Sequence, residues 1–311
     1  MRSMVEGFLL SGKDPSTASG GPPPRQIPGR HFAAFIAIDW SGARGRHHKG
    51  IAIAQARSDG PPRLVRPGHV WSRTEVLDWL LARAAREPTL FGFDFSFAPP
   101  FAARGAYLPG ETGVPDSARD FWAYVEARSD DEDLGAASFL EQAHRRHFYF
   151  GIADGVKADF VHFRQCDARL NAQGGRKTAS AYDAIGAAQV AKASFSGMRL
   201  LHRLDGKVAI WPMDPLPERG SAVVEIYTRI YLRNAGMSGR KLRSRAELNL
   251  ALRGLGSPPA RLRFEPDDHQ TDALVTAAGM RALALGEPRA FAPDGLTPDL
   301  ARTEGWTFGI I

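Results

Sequence analysis

The chain has 311 residues, 43% hydrophobic and 24% charged, with a formal net charge of +6, long enough for one large domain or two small ones with a sizeable core. A lone cysteine, Cys166, excludes an intrachain disulfide and a cysteine zinc site. No apolar run approaches the roughly 18 residues of a membrane span, and the opening MRSMVEGFLL lacks a signal peptide's apolar centre, so a soluble, cytoplasmic protein is expected, and its arginine-rich excess of positive charge permits a polyanionic partner without requiring one.

Residues 11–30 are rich in Ser, Gly and Pro. They predict that 1–30 is a disordered lead-in and that folded structure begins near His31. The run AAFIAIDWSG, 33–42, reads as a buried strand ending in Asp-Trp-Ser-Gly. A basic turn, RGRHHKG, leads to a second strand over 50–56, and a third over 63–71 is weakened by Pro67. Helical spacing covers 74–86. A fourth strand is predicted over 89–100, where Phe91, Phe93, Phe95 and Phe97 alternate around Asp94. From about 100 to 206 the pattern is mixed, with helices expected near 117–127, 136–147 and 180–204 and an exposed acidic loop at 130–133. Strands are read at 207–211 and 222–227, an amphipathic helix at 243–256, and a buried helix at 267–286. There is no internal repeat.

This order predicts a single α/β domain over 31–311. A three-strand meander is extended by parallel strands through helical crossovers, giving a mixed five-stranded sheet flanked by helices, with a large, mostly helical insertion over about 100–206.

Acidic residues interrupt apolar runs at four places: Asp39, Asp94, Glu225 and Asp272. Acids are almost never fully buried without a partner. If their segments are neighbours, the carboxylates converge and need a counter-charge. Hard divalent cations supply one, Mg²⁺ through one or two carboxylates plus substrate phosphate oxygens. Three of these acids also have a structural alternative. Asp39 can cap a turn, Asp94 can pair with an arginine, and Glu225 can pair with Arg229 or Arg233. Asp267, with Gln270 three residues on, has the form of a capping box and explains itself without chemistry, and Asp268 suits the helix dipole.

The strand order, the acid in AIDWSG, the acid on the fourth strand and the C-terminal His-x-x-Asp-Ala resemble the RNase H-like superfamily, and HQTDAL looks like the last helix of RuvC-type nucleases. More closely, AIDWSG, FGFDFSFAPP, AAQVAKASFSGMRLLHRL, IWPMD, VVEIYTR and DDHQTDALVTAAGMRAL, together spanning about 33–286, resemble an uncharacterised family, domain of unknown function 429, described as predicted RNase H-like nucleases. The resemblance implies that Asp39, Asp94 and Asp272 are metal ligands for Mg²⁺ or Mn²⁺. His269, one turn before Asp272, would ligate or act as general base, and Glu225 would be the acid of the family's Glu-x-Tyr-Pro motif, here departing at Thr228. The expected function is metal-dependent phosphodiester hydrolysis of nucleic acid. Alternatives are an ATP-dependent kinase or ATPase on the same fold, with AIDWSG as phosphate loop, and a non-catalytic binding protein that kept the fold.

Substrate phosphate contacts are expected from Arg44, Arg46 and Lys49 in the basic turn and from Arg164 and Lys177 in the insertion. The same turn, with His47 and His48, reads first as a solvated hairpin. GGRKT lacks the glycine spacing of a Walker motif. Glu141, His144 and His147 have helical metal spacing but no completing ligand, and are read as an exposed helix face.

Overall fold

The computed structural model describes residues 28–174, 178–185 and 190–311. Most of the expected lead-in and two basic residues of the insertion, Arg176 and Lys177, lie outside the described residues. The first described element is a 3-10 turn at Pro28–His31, slightly before the expected start.

Six strands form one mixed sheet: β1 (Ala34–Asp39), β2 (Ala52–Arg57), β3 (Arg63–Leu64), β4 (Thr89–Phe93), β5 (Ala209–Ile210) and β6 (Ala222–Glu225). Their order across the sheet is β3-β2-β1-β4-β6-β5. The meander β1–β2–β3 is antiparallel, and β4, β6 and β5 add in parallel. The sheet has six strands, one for each strand segment read in the sequence, where a five-stranded sheet was expected; the segment at 207–211 shortens to Ala209–Ile210 and pairs with β6 at the edge.

The helices are α1 (Arg73–Ala84), α2 (Ala118–Ala127), α3 (Gln165–Ala172), α4 (Val190–Leu204), α5 (Thr228–Asn234), α6 (Arg245–Gly254), α7 (Asp268–Gly286) and α8 (Pro298–Thr303). None is long and apolar enough to cross a membrane. Side chains alternate across the sheet, and each face carries its own core. Ile36, Ile38, Phe91, Phe93 and Val223 pack with side chains of α1, α2 and α4. Phe35, Ala37, Leu90, Ala222 and Val224 lie in the core formed with α5, α6 and α7.

Three expectations need correction. Strand β4 stops at Phe93 instead of running to 100, because the backbone beyond it bonds to side chains rather than to a neighbouring strand. Ser96 N donates to Ser194 Oγ at 3.1 Å, Phe97 N to Glu225 Oε2 at 2.8 Å, and Trp122 Nε1 to Phe97 O at 2.7 Å. The helix expected over 136–147 is a π-helical turn at Phe139–Ala143 followed by a 3-10 turn at Arg145–His147. The helix expected from 180 begins, within the described residues, at Val190. Helices α3, α5 and α8 were not anticipated; they have 8, 7 and 6 residues, too short to show a periodic pattern.

Candidate active site

Asp39 ends β1, and Asp94 follows the last residue of β4, the parallel strand beside it. In open α/β sheets the carboxyl ends of parallel strands are where ligand crevices form. Ile38 pairs with Phe93, so Asp39 and Asp94, each one residue further on, share the sheet face on which α7 lies. There α7 presents Asp272 in its second turn. The three carboxylates, with Ile226, Thr228 and Thr276, line one small cleft.

The head of α7 is built as the sequence predicts. Asp267 Oδ1 accepts from Gln270 N at 2.8 Å, and Gln270 Oε1 accepts from Asp267 N at 3.3 Å, closing the capping box. Capping uses Asp267, and Asp268 pairs with Lys241 at the surface. Asp272 is left facing the cleft.

Local bonds fix the other two acids. The backbone N–H of Trp40 donates to Asp94 Oδ1 at 2.7 Å, tying the end of β1 to the end of β4. Asp39 Oδ1 lies 3.0 Å from His269 Nδ1, and the Asp39 side chain is 11% exposed against 50% for His269. The other ring nitrogen, Nε2, points toward Gly50 and the neighbourhood of Ser41.

Electrostatically the site is overcharged. Burial, then the neighbouring charge of Asp39, pushes the Asp94 carboxyl well above the usual range. Burial, with Asp39 and Asp268 nearby, pushes Asp272 up to about 7. Asp39 is also raised by burial, against the opposing pull of its bond to His269. That same bond raises the His269 imidazole. Among the described residues no arginine or lysine forms an ion pair with Asp39, Asp94 or Asp272; His269 is the one ion-pair partner of the three. Nor, among those residues, is any group of three or more His, Cys, Asp or Glu side chains already drawn together as a finished metal cage.

The loop after Asp39 is held from beneath. Arg73, fully buried, donates through Nε to Ser41 O at 2.8 Å, through Nη2 to Ala43 O, and through Nη1 to Asp133 O at 3.0 Å. Gly42 lies against the start of α4, where an added Cβ would stand 2.2 Å from Ala193 N. That neighbour is backbone and cannot rotate away. Gly42→Ala is therefore expected to cost about 1–3 kcal/mol by overpacking, measured as a lower urea midpoint.

Several expectations about individual residues change. Glu225 is not at the cleft. It pairs with Phe93, not with Asp94, so its side chain falls on the opposite face. There it is buried and bonded to Arg164, with Nη1 to Oε2 at 2.6 Å and Nη2 to Oε1 at 2.5 Å. Its ion-pair partner is thus neither Arg229 nor Arg233. Arg164, 1% exposed, is committed to Glu225 and Asp167 and has no face for a phosphate. In the basic turn, Arg44 pairs with Glu141 and Arg46 lies 3.6 Å from Glu132, while Lys49 is exposed. His48 is buried on Asp133, 3.1 Å away, so the acidic stretch at 130–133 is in part an anchor rather than a free loop. His144 and His147 are buried and turn to Glu111, at 2.8 and 2.7 Å, away from Glu141; they do not form an exposed helix face.

Other contributors were missed at the sequence level: the Trp40 amide, Arg73, and the Thr228–Thr276 hydroxyl pair at 2.9 Å that joins α5 to α7 beside the cleft. Thr228 stands where proline was expected, and an apolar ring could not make that bond. Compared with protein-family models, curated proteins and solved structures, the chain matches none.

Proposed function

We propose that this protein is a divalent-cation-dependent phosphodiesterase acting on nucleic acid, with an RNase H-like fold akin to the domain of unknown function 429 family. One observation carries the reading. Three carboxylates from segments far apart in the chain, Asp39, Asp94 and Asp272, line a single cleft with no arginine or lysine paired to them among the described residues. Buried, like-charged acids without a counter-charge are costly to a fold, and a bound cation would relieve that cost. The mixed sheet, with its antiparallel meander and parallel additions, supports the superfamily assignment.

The donor set is all oxygen and hard, which suits Mg²⁺ or Mn²⁺ over softer metals. Asp39, Asp94 and Asp272 would hold one or two such ions. When bound, the cation would polarise a phosphoryl oxygen and offset the charge growing in the transition state. The chain's own residues do the rest. Asp39 has two oxygens and can keep Oδ1 on His269 while Oδ2 faces the cleft. That bond orients the imidazole beside the cleft and leaves Nε2, on the Gly50 and Ser41 side, as the nitrogen able to take up a proton. Arg73 and α4 keep the Ser41–Ala43 backbone closed. The sequence has no internal repeat and no second phosphate-binding turn, which counts against the kinase or ATPase reading.

Asp39→Asn keeps the side chain's size while removing its charge. Hydrolysis of a panel of DNA and RNA substrates with Mn²⁺ is expected to fall at least about 10³-fold, several kcal/mol of barrier, with an unchanged circular dichroism spectrum. Equal activity in the two proteins would end this reading.

A further inference from the structure

The α5–α6 connection and the first residue of α6 read SGRKLRSR over 238–245, and the α6–α7 connection carries RLRF at 261–264. The structure fastens the two together. Arg245 donates to Glu265 through its backbone N and its Nε, both at 2.8 Å, and through Nη1 to Leu262 O at 3.1 Å. Lys241 pairs with Asp268 at the head of α7, next to His269 and one turn before Asp272. Buried Leu242 anchors the loop between exposed neighbours. Four arginines on this surface, Arg240, Arg243, Arg261 and Arg263, are exposed and have no ion pair among the described residues. Among the described residues, most other arginines do have one. Beside them Phe264 is 42% exposed.

We propose that this surface seats a single-stranded polynucleotide next to the carboxylate cleft, its phosphates on Arg240, Arg243, Arg261 and Arg263 and an unstacked base on Phe264. The inference rests on the phosphodiesterase reading and extends it to strand form and entry side. Guanidinium groups suit phosphate oxygens. An exposed aromatic ring among them suits a base face, worth about a tenfold change in affinity when removed. In a duplex both faces of an internal base are covered by its stacked neighbours, so the ring selects for unpaired strand. An anionic lipid surface would use the arginines but gives no role to a single ring beside a hydrolytic cleft.

The test is fluorescence anisotropy with a labelled 20-nucleotide oligothymidylate and a duplex of equal length, in EDTA, over a salt series. Replacing Arg240, Arg243, Arg261 and Arg263 together by Ala is expected to weaken strand binding at least about 100-fold at low salt. The slope of log K against log salt should shrink by about 3, four contacts at roughly 0.7 each. Phe264→Ala is expected to weaken strand binding about tenfold, leaving the salt slope and duplex binding unchanged. An unchanged slope in the quadruple variant overturns the proposal. So does retained strand affinity in that variant with loss of binding to phosphatidylserine vesicles. Failure here is separable from failure of the phosphodiesterase reading. Strand binding of this form in a protein that hydrolyses nothing would remove the chemistry and keep the surface. Mn²⁺-dependent hydrolysis with an unchanged salt slope would do the reverse.

Discussion

Arg164→Ala is expected to destabilise the protein by about 3–5 kcal/mol, the cost of stranding buried charge. The guanidinium holds Glu225 in a two-pronged bond and Asp167 through Nε at 2.9 Å. Glu225 also accepts from Phe97 N at 2.8 Å and from Thr307 Oγ1 at 2.6 Å, so the group joins four separate segments. Removing the arginine leaves two acids facing each other in low dielectric. Lysine does not rescue it, since a point charge cannot span both carboxylates as the planar fork does. Glu225→Gln should cost less, because its oxygen still accepts from Arg164 and Asp167 still balances the charge. Urea unfolding ranks the three variants. A catalytic Glu225 predicts instead that Glu225→Gln abolishes hydrolysis in a protein that stays folded.

Asp272→Asn is expected to stabilise the metal-free protein at pH 8 by about 2–4 kcal/mol, raising Tm by roughly 5 °C or more. The direction follows from the raised carboxyl. Between the ordinary aspartate value of 3.8 and about 7, the folded state holds a proton that the unfolded state has lost. That contribution is complete below pH 4 and disappears as pH rises through 7. Wild type therefore weakens over this window, while the Asn variant, with nothing to titrate there, weakens less. Asp94→Asn should behave alike, since burial and Asp39 raise Asp94 as well. Saturating Mn²⁺ at pH 8 should reverse the order by stabilising wild type alone. Thermal melts from pH 4 to 8, with and without Mn²⁺, decide it; parallel curves for wild type and variant would rule out carboxylate ionisation as the source of the strain.

The cleft was largely legible in the sequence because each of its acids breaks an apolar run at a telling place: the end of a strand or the second turn of a core helix. Asp267 and Gln270 could be assigned to capping from spacing alone, and the structure closes that box. Glu225 was misplaced for a physical reason. A strand buried on both faces, AVVEIY, shows no alternation, so nothing in it reveals which side an acid takes, and a one-residue change of register exchanges the faces. Its true partner lies 61 residues upstream, beyond any local pairing rule. Arg233, one of the partners expected for it, instead bonds Gln173 at 2.8 Å and Gly174 O at 2.9 Å. His144 and His147 misled through spacing: three residues apart suggests one helix face, but the π and 3-10 turns there re-aim both rings inward onto Glu111.

Glu304 gives the chain an order of assembly. Its carboxylate accepts from Phe101 N and Ala102 N, at 2.7 and 2.8 Å, and from Gln165 N at 2.8 Å, across separations of 139 to 203 residues. Thr307 beside it completes the Glu225 group. During synthesis the region between β4 and β5 therefore emerges long before the residues that clasp it, and its backbone donors must wait in water. Such long closures are slow to form, so the stretch around 304–307 acts as the latch on the middle one. A nascent chain arrested before residue 304 should remain open to protease between 97 and 167 even though its sheet strands are all present.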